Sequence, residues 1–147
     1  MRLILILTAL LAFQSAAAID KSYLKKEKPD ELALFVFVDS ECPFSQEEVE
    51  GLVSGVLIRA RLKPDTLNWP YAPLYLDFSL SCLALKNNNP VFVIKTAFGR
   101  RNPKPAIMYE YNYGTYGVGP KENIEAAIKD STEKAITAYI QANFIKN

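Results

Sequence analysis

Cys42 and Cys82 are the only thiols in the chain, and there is no histidine at all. The missing imidazole removes Ser-His-Asp and Cys-His catalysis and imidazole proton shuttles. It also removes nearly every zinc site, because two thiolates cannot fill a tetrahedral shell. No metal and no cofactor is expected. Asp39 and Glu41 come nearest to a carboxylate pair for acid–base work. They stand one residue apart in an expected loop, with nothing nearby to tune either. Gly114, Gly117 and Gly119 are spaced like a turn and lack the Lys-Ser/Thr of a phosphate-cradling loop. What remains for Cys42 and Cys82 is to bond to each other, to stay as two buried thiols, or to act as a nucleophile.

Composition narrows the class further. The chain has 147 residues, half of them hydrophobic and 12% aromatic. That supports one domain with a real core and argues against disorder. Seventeen basic against sixteen acidic side chains leave a net charge of +1. Nucleic acid is therefore not an expected partner, since no phosphate-neutralising excess exists.

The N-terminus reads as an address. Met1-Arg2 is a short positive region, Leu3 to Phe13 is apolar, and Ala16-Ala17-Ala18 supplies the small residues of a cleavage site. The expectation is a signal peptide over 1–18 and a mature chain starting at Ile19, exported to a periplasm or secreted. The alternative is an uncleaved N-terminal anchor. Beyond residue 18 no apolar stretch is long enough to span a membrane. Export matters to the thiols, because an oxidising compartment lets Cys42 and Cys82 pair.

The elements that would position these residues follow from periodicity. Residues 19–30 are charged and read as a linker or frayed start, leaving 31–147 as a single domain. Leu32 to Val38 is a continuous apolar run, expected to be a strand buried on both faces. Ser45 with Glu48 forms a capping box, and Phe44 with Val49 a hydrophobic staple. Val49, Leu52, Val53, Val56, Leu57 and Ala60 then follow a helical period, ending before Pro64. Residues 62–73 read as a Pro-rich loop with Trp69. From Leu74 the period is two: Leu74, Leu76, Phe78, Leu80, Cys82 and Ala84 on one face, with Tyr75, Asp77, Ser79 and Ser81 on the other. Asn87 to Pro90 supplies turn chemistry, and Val91 to Phe98 returns as a hairpin. Ala106 to Tyr113 alternates again, ending in the glycines at 114–119. Pro120 suits the first position of a last helix, with Ile124, Ala127, Ile128, Ala135, Ile136, Tyr139, Ile140 and Ala142 as its apolar stripe. The expected fold is α+β, in the order β-α-β-β-β-α: a mostly antiparallel sheet with two helices packed on one face.

In that arrangement a right-handed crossover makes the first two strands parallel and brings Cys42 and Cys82 to one rim of the sheet. Bridging them would stabilise by about 4 kcal/mol on the chain-entropy account. A sharper alternative comes from residues 35–45, FVFVDSECPFS. An apolar strand running into Cys-Pro-aromatic at a helix start resembles the thioredoxin-like oxidoreductases, and Asn89 to Ile94 is similar to their Pro-plus-strand segment. The resemblance implies Cys42 as attacking thiolate, Ser45 in place of a resolving thiol, and Pro90 as a cis proline beside the sulfur. It also implies a second crossover helix, for which 74–90 leaves no room.

Three features suit binding by contact. Tyr109, Tyr111 and Tyr113 would line one face of the third long strand. Arg100, Arg101 and Lys104 would make a basic hairpin loop. Trp69 would be an exposed anchor or a plug over one end of the core. The sequence thus points to a non-catalytic exported domain that binds a protein, an envelope component or a copy of itself, with a monothiol oxidoreductase as the alternative.

Overall fold

The computed structural model describes residues 22–85, 89–100 and 107–145. In chain order it contains β1 (Glu31–Val38), α1 (Gln46–Arg59), β2 (Lys63–Asp65), β3 (Tyr75–Leu83), β4 (Val91–Arg100), β5 (Ile107–Asn112), β6 (Thr115–Val118) and α2 (Lys121–Asn143). One-turn 3-10 helices occur at Ser22–Leu24 and Trp69–Tyr71. The strands form one mixed sheet in the order β2-β1-β3-β4-β5, with β6 also paired to β4. β1 pairs in parallel with β2 and β3, and the remaining pairs are antiparallel. This is the expected α+β class, with both helices on one face.

The period-two reading of β3 holds. Leu76, Phe78, Leu80 and Cys82 are buried, and their partners across the ladder, Phe98, Thr96, Ile94 and Phe92, are buried too. Together with Leu32, Leu34 and Val36 of β1 they form the floor of the core. Val49, Val53, Val56 and Leu57 of α1 and Ile124, Ile128, Ala135, Ile136 and Tyr139 of α2 form its roof. Each fully buried large apolar side chain contributes about 1.5–3 kcal/mol, so this one layer carries most of the stability. Within it Thr96 Oγ1 bonds to Ser131 Oγ at 3.2 Å, and Ser131 and Thr132 donate to the Ile128 carbonyl. These contacts satisfy the hydroxyls where they are buried.

Both ends of α1 are closed by local chemistry. The capping box at Ser45 and Glu48 is formed as expected. At the other end Arg61 N–H donates to the Ile58 carbonyl and Leu62 N–H to the Leu57 carbonyl. That is a Schellman motif, and it requires Arg61 to sit at φ 61°. Leu62 beyond it is buried, so the turn feeds straight into β2.

Several expectations are corrected. β1 is buried on both faces only over Leu32–Leu34: toward its end Phe37 is exposed while Val36 is buried, because no layer of helices covers the second face. The loop read over 62–73 contains the short edge strand β2, held by parallel pairing to Glu31–Ala33. The glycine-rich break at 114–119 contains a strand, β6. Gly117 fits there because a Cβ would meet the Phe92 ring at 2.8 Å. Pro120 caps α2 from outside rather than opening it. Residues 22–30, read as a linker or frayed start, are docked. Leu24 is fully buried, and Asn143 of α2 donates to the Leu24 carbonyl and accepts from Lys26 N–H.

Arg61→Gly removes the Cβ penalty at a left-handed position, worth about 1 kcal/mol before the entropy cost of glycine in the unfolded chain. The variant is expected to be more stable by about 0.5 kcal/mol in urea unfolding. A loss of stability would contradict the Schellman geometry.

Candidate functional site

Cys42 is placed by the end of β1. Asp39 N–H donates to the Leu80 carbonyl at 2.9 Å, extending the parallel ladder one step past Val38. The chain then turns: Cys42 N–H donates to the Asp39 carbonyl, and Glu41 N–H to the Asp39 carboxylate. The Asp39 carboxylate thus serves the turn. The turn swings Cys42 back over β3, where it meets Cys82 on the helix-side face. The two form a disulfide with Cα atoms 5.0 Å apart. The bond ties the β1–α1 connection to the middle of the sheet.

This geometry departs from what the thioredoxin-like resemblance implies. The Cys42 sulfur is bonded, so no thiolate stands there. The helix begins at Gln46, past the thiol rather than at it. β3 and β4 are hairpin partners from Tyr75↔Gly99 to Leu83↔Val91, and among the described residues no crossover helix separates them. Pro90 uses its carbonyl to accept from Gly119 N–H, fixing the start of β4 beside β6.

The second candidate is the sheet face that carries no helix. Its register is set by β3: Tyr75, Asp77, Ser79, Ser81 and Leu83 lie opposite Gly99, Ala97, Lys95, Val93 and Val91 of β4. Phe35 and Phe37 extend it on β1, opposite Asp77 and Ser79. On β6, Tyr116 lies opposite Val93 and Val118 opposite Val91. The face has two halves. In one, the Trp69 ring packs on Phe35 at 4.3 Å and on Tyr75 at 5.7 Å between centroids. Tyr75 lies over Gly99, where any Cβ would meet its ring at 2.6 Å, and its hydroxyl reaches Met108 Sδ at 3.3 Å. This half is covered. In the other half Phe37, Leu83, Val93, Tyr116 and Val118 are 46–83% exposed, with no described side chain laid over them. Between the halves stand Asp77 and Lys95. Burial pushes the Asp77 carboxyl above the ordinary carboxylate range, and Lys95 partly opposes it.

The sequence-derived contact residues divide between these places. Trp69 packs on Phe35 and Tyr75 and covers one half of the open face. Tyr113 lies on the opposite side, buried edge-on against Phe98, which stacks on Tyr139 of α2. It is part of the core rather than of a tyrosine row. Tyr109 and Tyr111 lie on β5, where the backbone but not their side chains is described. Arg101 and Lys104 lie outside the described residues. Arg100 Nη2 donates to the Tyr23 carbonyl at 3.0 Å, so its guanidinium ties the N-terminal segment to the end of β4. The exposed apolar group on β1, β3, β4 and β6 was missed. Its signal was the alternation of Val91 and Val93 against buried Phe92 and Ile94. Tyr116 and Val118 were hidden among glycines.

No family model matches the chain, and no curated protein matches it. Among solved structures it is similar to the PelC dodecamer from Paraburkholderia phytofirmans. Identity is 9% over 76% of this chain and 86% of that one, with a TM-score of 0.46. A single-substitution variant of the same dodecamer gives 10% identity, 75% and 87% coverage and the same TM-score of 0.46. Among the described residues no helix is long and apolar enough to cross a membrane.

The disulfide closes a long loop, its ends 40 residues apart in sequence, and the chain-entropy account puts its contribution at about 4 kcal/mol. Cys82→Ser is expected to lower the thermal midpoint of oxidised protein markedly and to differ little from wild type once both are reduced. Equal midpoints under oxidising conditions would contradict the structural role.

Proposed function

We propose that this chain is an exported, non-catalytic domain that works by contact through the bare half of its open sheet face. The observation that carries the reading is the group formed by Phe37, Leu83, Val93, Tyr116 and Val118. It places five large apolar side chains, each close to half exposed or more, on neighbouring strands. Single exposed apolar residues are ordinary, whereas a cluster such as Leu83, Val93, Tyr116 and Val118, with Phe37 at its margin beyond Ser79 and Ser81, marks an interaction surface. Two further features support it. A disulfide persists in oxidising compartments, which accords with export to a periplasm or outside the cell. A chain without histidine, with its thiols bonded to each other, has little with which to run acid–base or nucleophilic chemistry. The partner is a protein, an envelope component or another copy of the chain.

A photo-crosslinking side chain placed at Phe37 or Leu83, in cells exporting the full chain, is expected to give discrete adducts. The same group at Ile58, exposed on α1, is expected to give none. Adducts of equal yield from all three positions, or none from the open face, would contradict the proposal.

A further inference from the structure

The edge strands β2 and β6 are built differently; β6 shares the edge opposite β2 with β5, each paired to its own part of β4. β2 is three residues long, Lys63-Pro64-Asp65. It carries charges at both ends and a proline that has no N–H to offer. Short length, charge and proline are the devices by which edge strands avoid pairing with other chains. β6, Thr115-Tyr116-Gly117-Val118, has neither charge nor proline and is rich in strand-favouring side chains.

The direction of its peptide groups follows from the ladder. Tyr113 N–H donates to the Thr96 carbonyl and Gly119 N–H to the Pro90 carbonyl. Residues on β6 with the same parity as these turn inward to β4, and the others turn outward. The N–H and C=O of Tyr116 and Val118 therefore point away from the sheet, and no described strand pairs with them. The side chains of the same two residues are exposed on the open face.

We propose that this edge takes a second copy of itself, antiparallel, about a two-fold axis through Gly117. The strand is self-complementary in that register. Tyr116 of one copy stands opposite Val118 of the other and exchanges both backbone hydrogen bonds with it, and the symmetry repeats the pair. Gly117 faces Gly117 at the axis. A two-fold axis brings like groups together, and β6 has no charge to repel its mate. The axis stands normal to the sheet, so both open faces lie on the same side. The apolar row Val93–Tyr116 runs on into Val118–Val91 of the second copy, as an aromatic–β-branched cross-strand pair. An extended peptide could use the same hydrogen bonds, but its side chains would not be dictated by this sequence. The inference rests on the contact reading above and names the partner.

The test compares mature wild-type protein with the Tyr116→Lys/Val118→Lys double variant. Both substitutions are at exposed positions, and circular dichroism checks that the fold is kept. Sedimentation over a dilution series is expected to show a dimer for wild type and a monomer for the variant. Amide exchange is expected to show Tyr116 and Val118 N–H protected in the wild-type dimer and unprotected in the variant, with Gly117 N–H protected in both. A wild-type monomer at every concentration overturns the inference. So does a dimer that survives both substitutions while Tyr116 and Val118 amides exchange freely. A monomer that still gives adducts from Phe37 and Leu83 sinks this pairing and leaves the broader contact reading standing.

Discussion

Parallel pairing of β1 on both sides constrains everything else in this molecule. β2 and β3 follow one another in sequence, yet they lie on opposite edges of β1 and run in the same direction. The chain must therefore make two crossover connections, only the second of which passes over β1 itself. The first crossing is α1, which lies on the face shared with α2 and completes the core. The second is the segment between β2 and β3, and it passes over the other face. It is too short and too rich in proline to form more than the one-turn 3-10 helix at Trp69–Tyr71, so it covers only what Trp69 reaches. One half of that face is sealed by Trp69 and Tyr75, and the other half is left bare.

The same pairing explains the disulfide. Because β1 and β3 are parallel neighbours, the turn after β1 ends beside β3 on the helix side. A cysteine in the turn then meets one placed on the buried face of β3. The cross-link needs no distortion of the sheet, and it locks the first crossing in place. In this bonded form Cys42 offers no thiolate. Cys-Pro-aromatic at the end of an apolar strand has redox meaning only when the helix starts at the thiol. Here the capping box at Ser45 and Glu48 sets the start later.

Much of this was legible in the residues themselves. The capping box, the helical stripes, the period-two strand at β3 and the hairpin return of β4 are local patterns, and local patterns survive folding. What could not be read depended on partners distant in the chain. Lys63-Pro64-Asp65 has no strand signal of its own and is a strand only because Glu31–Ala33 lies beside it. The continuous apolar run of β1 does not reveal that Phe37 is exposed, since an apolar side chain on a bare face looks like one in a core. Thr115 to Val118 is interrupted by a glycine that reads as a turn but answers to the Phe92 ring beneath it. Tyr113 misled for a related reason. A break at Tyr113-Gly114 separates β5 from β6, and Tyr113 drops into the core beside Phe98.

Where the second face is bare, the sheet should tolerate charge on the residues that point to it, and β4 offers the sharpest comparison. Val93 and Ile94 are adjacent, one on each face. Unfolding free energies of Val93→Asp and Ile94→Asp read the two faces directly. Val93→Asp should cost no more than about 1 kcal/mol. Ile94→Asp buries an unpaired carboxylate and should remove most of a stability on the order of 5–15 kcal/mol. Equal and large losses from both would mean that the second face is covered, and the one-sided architecture would be wrong.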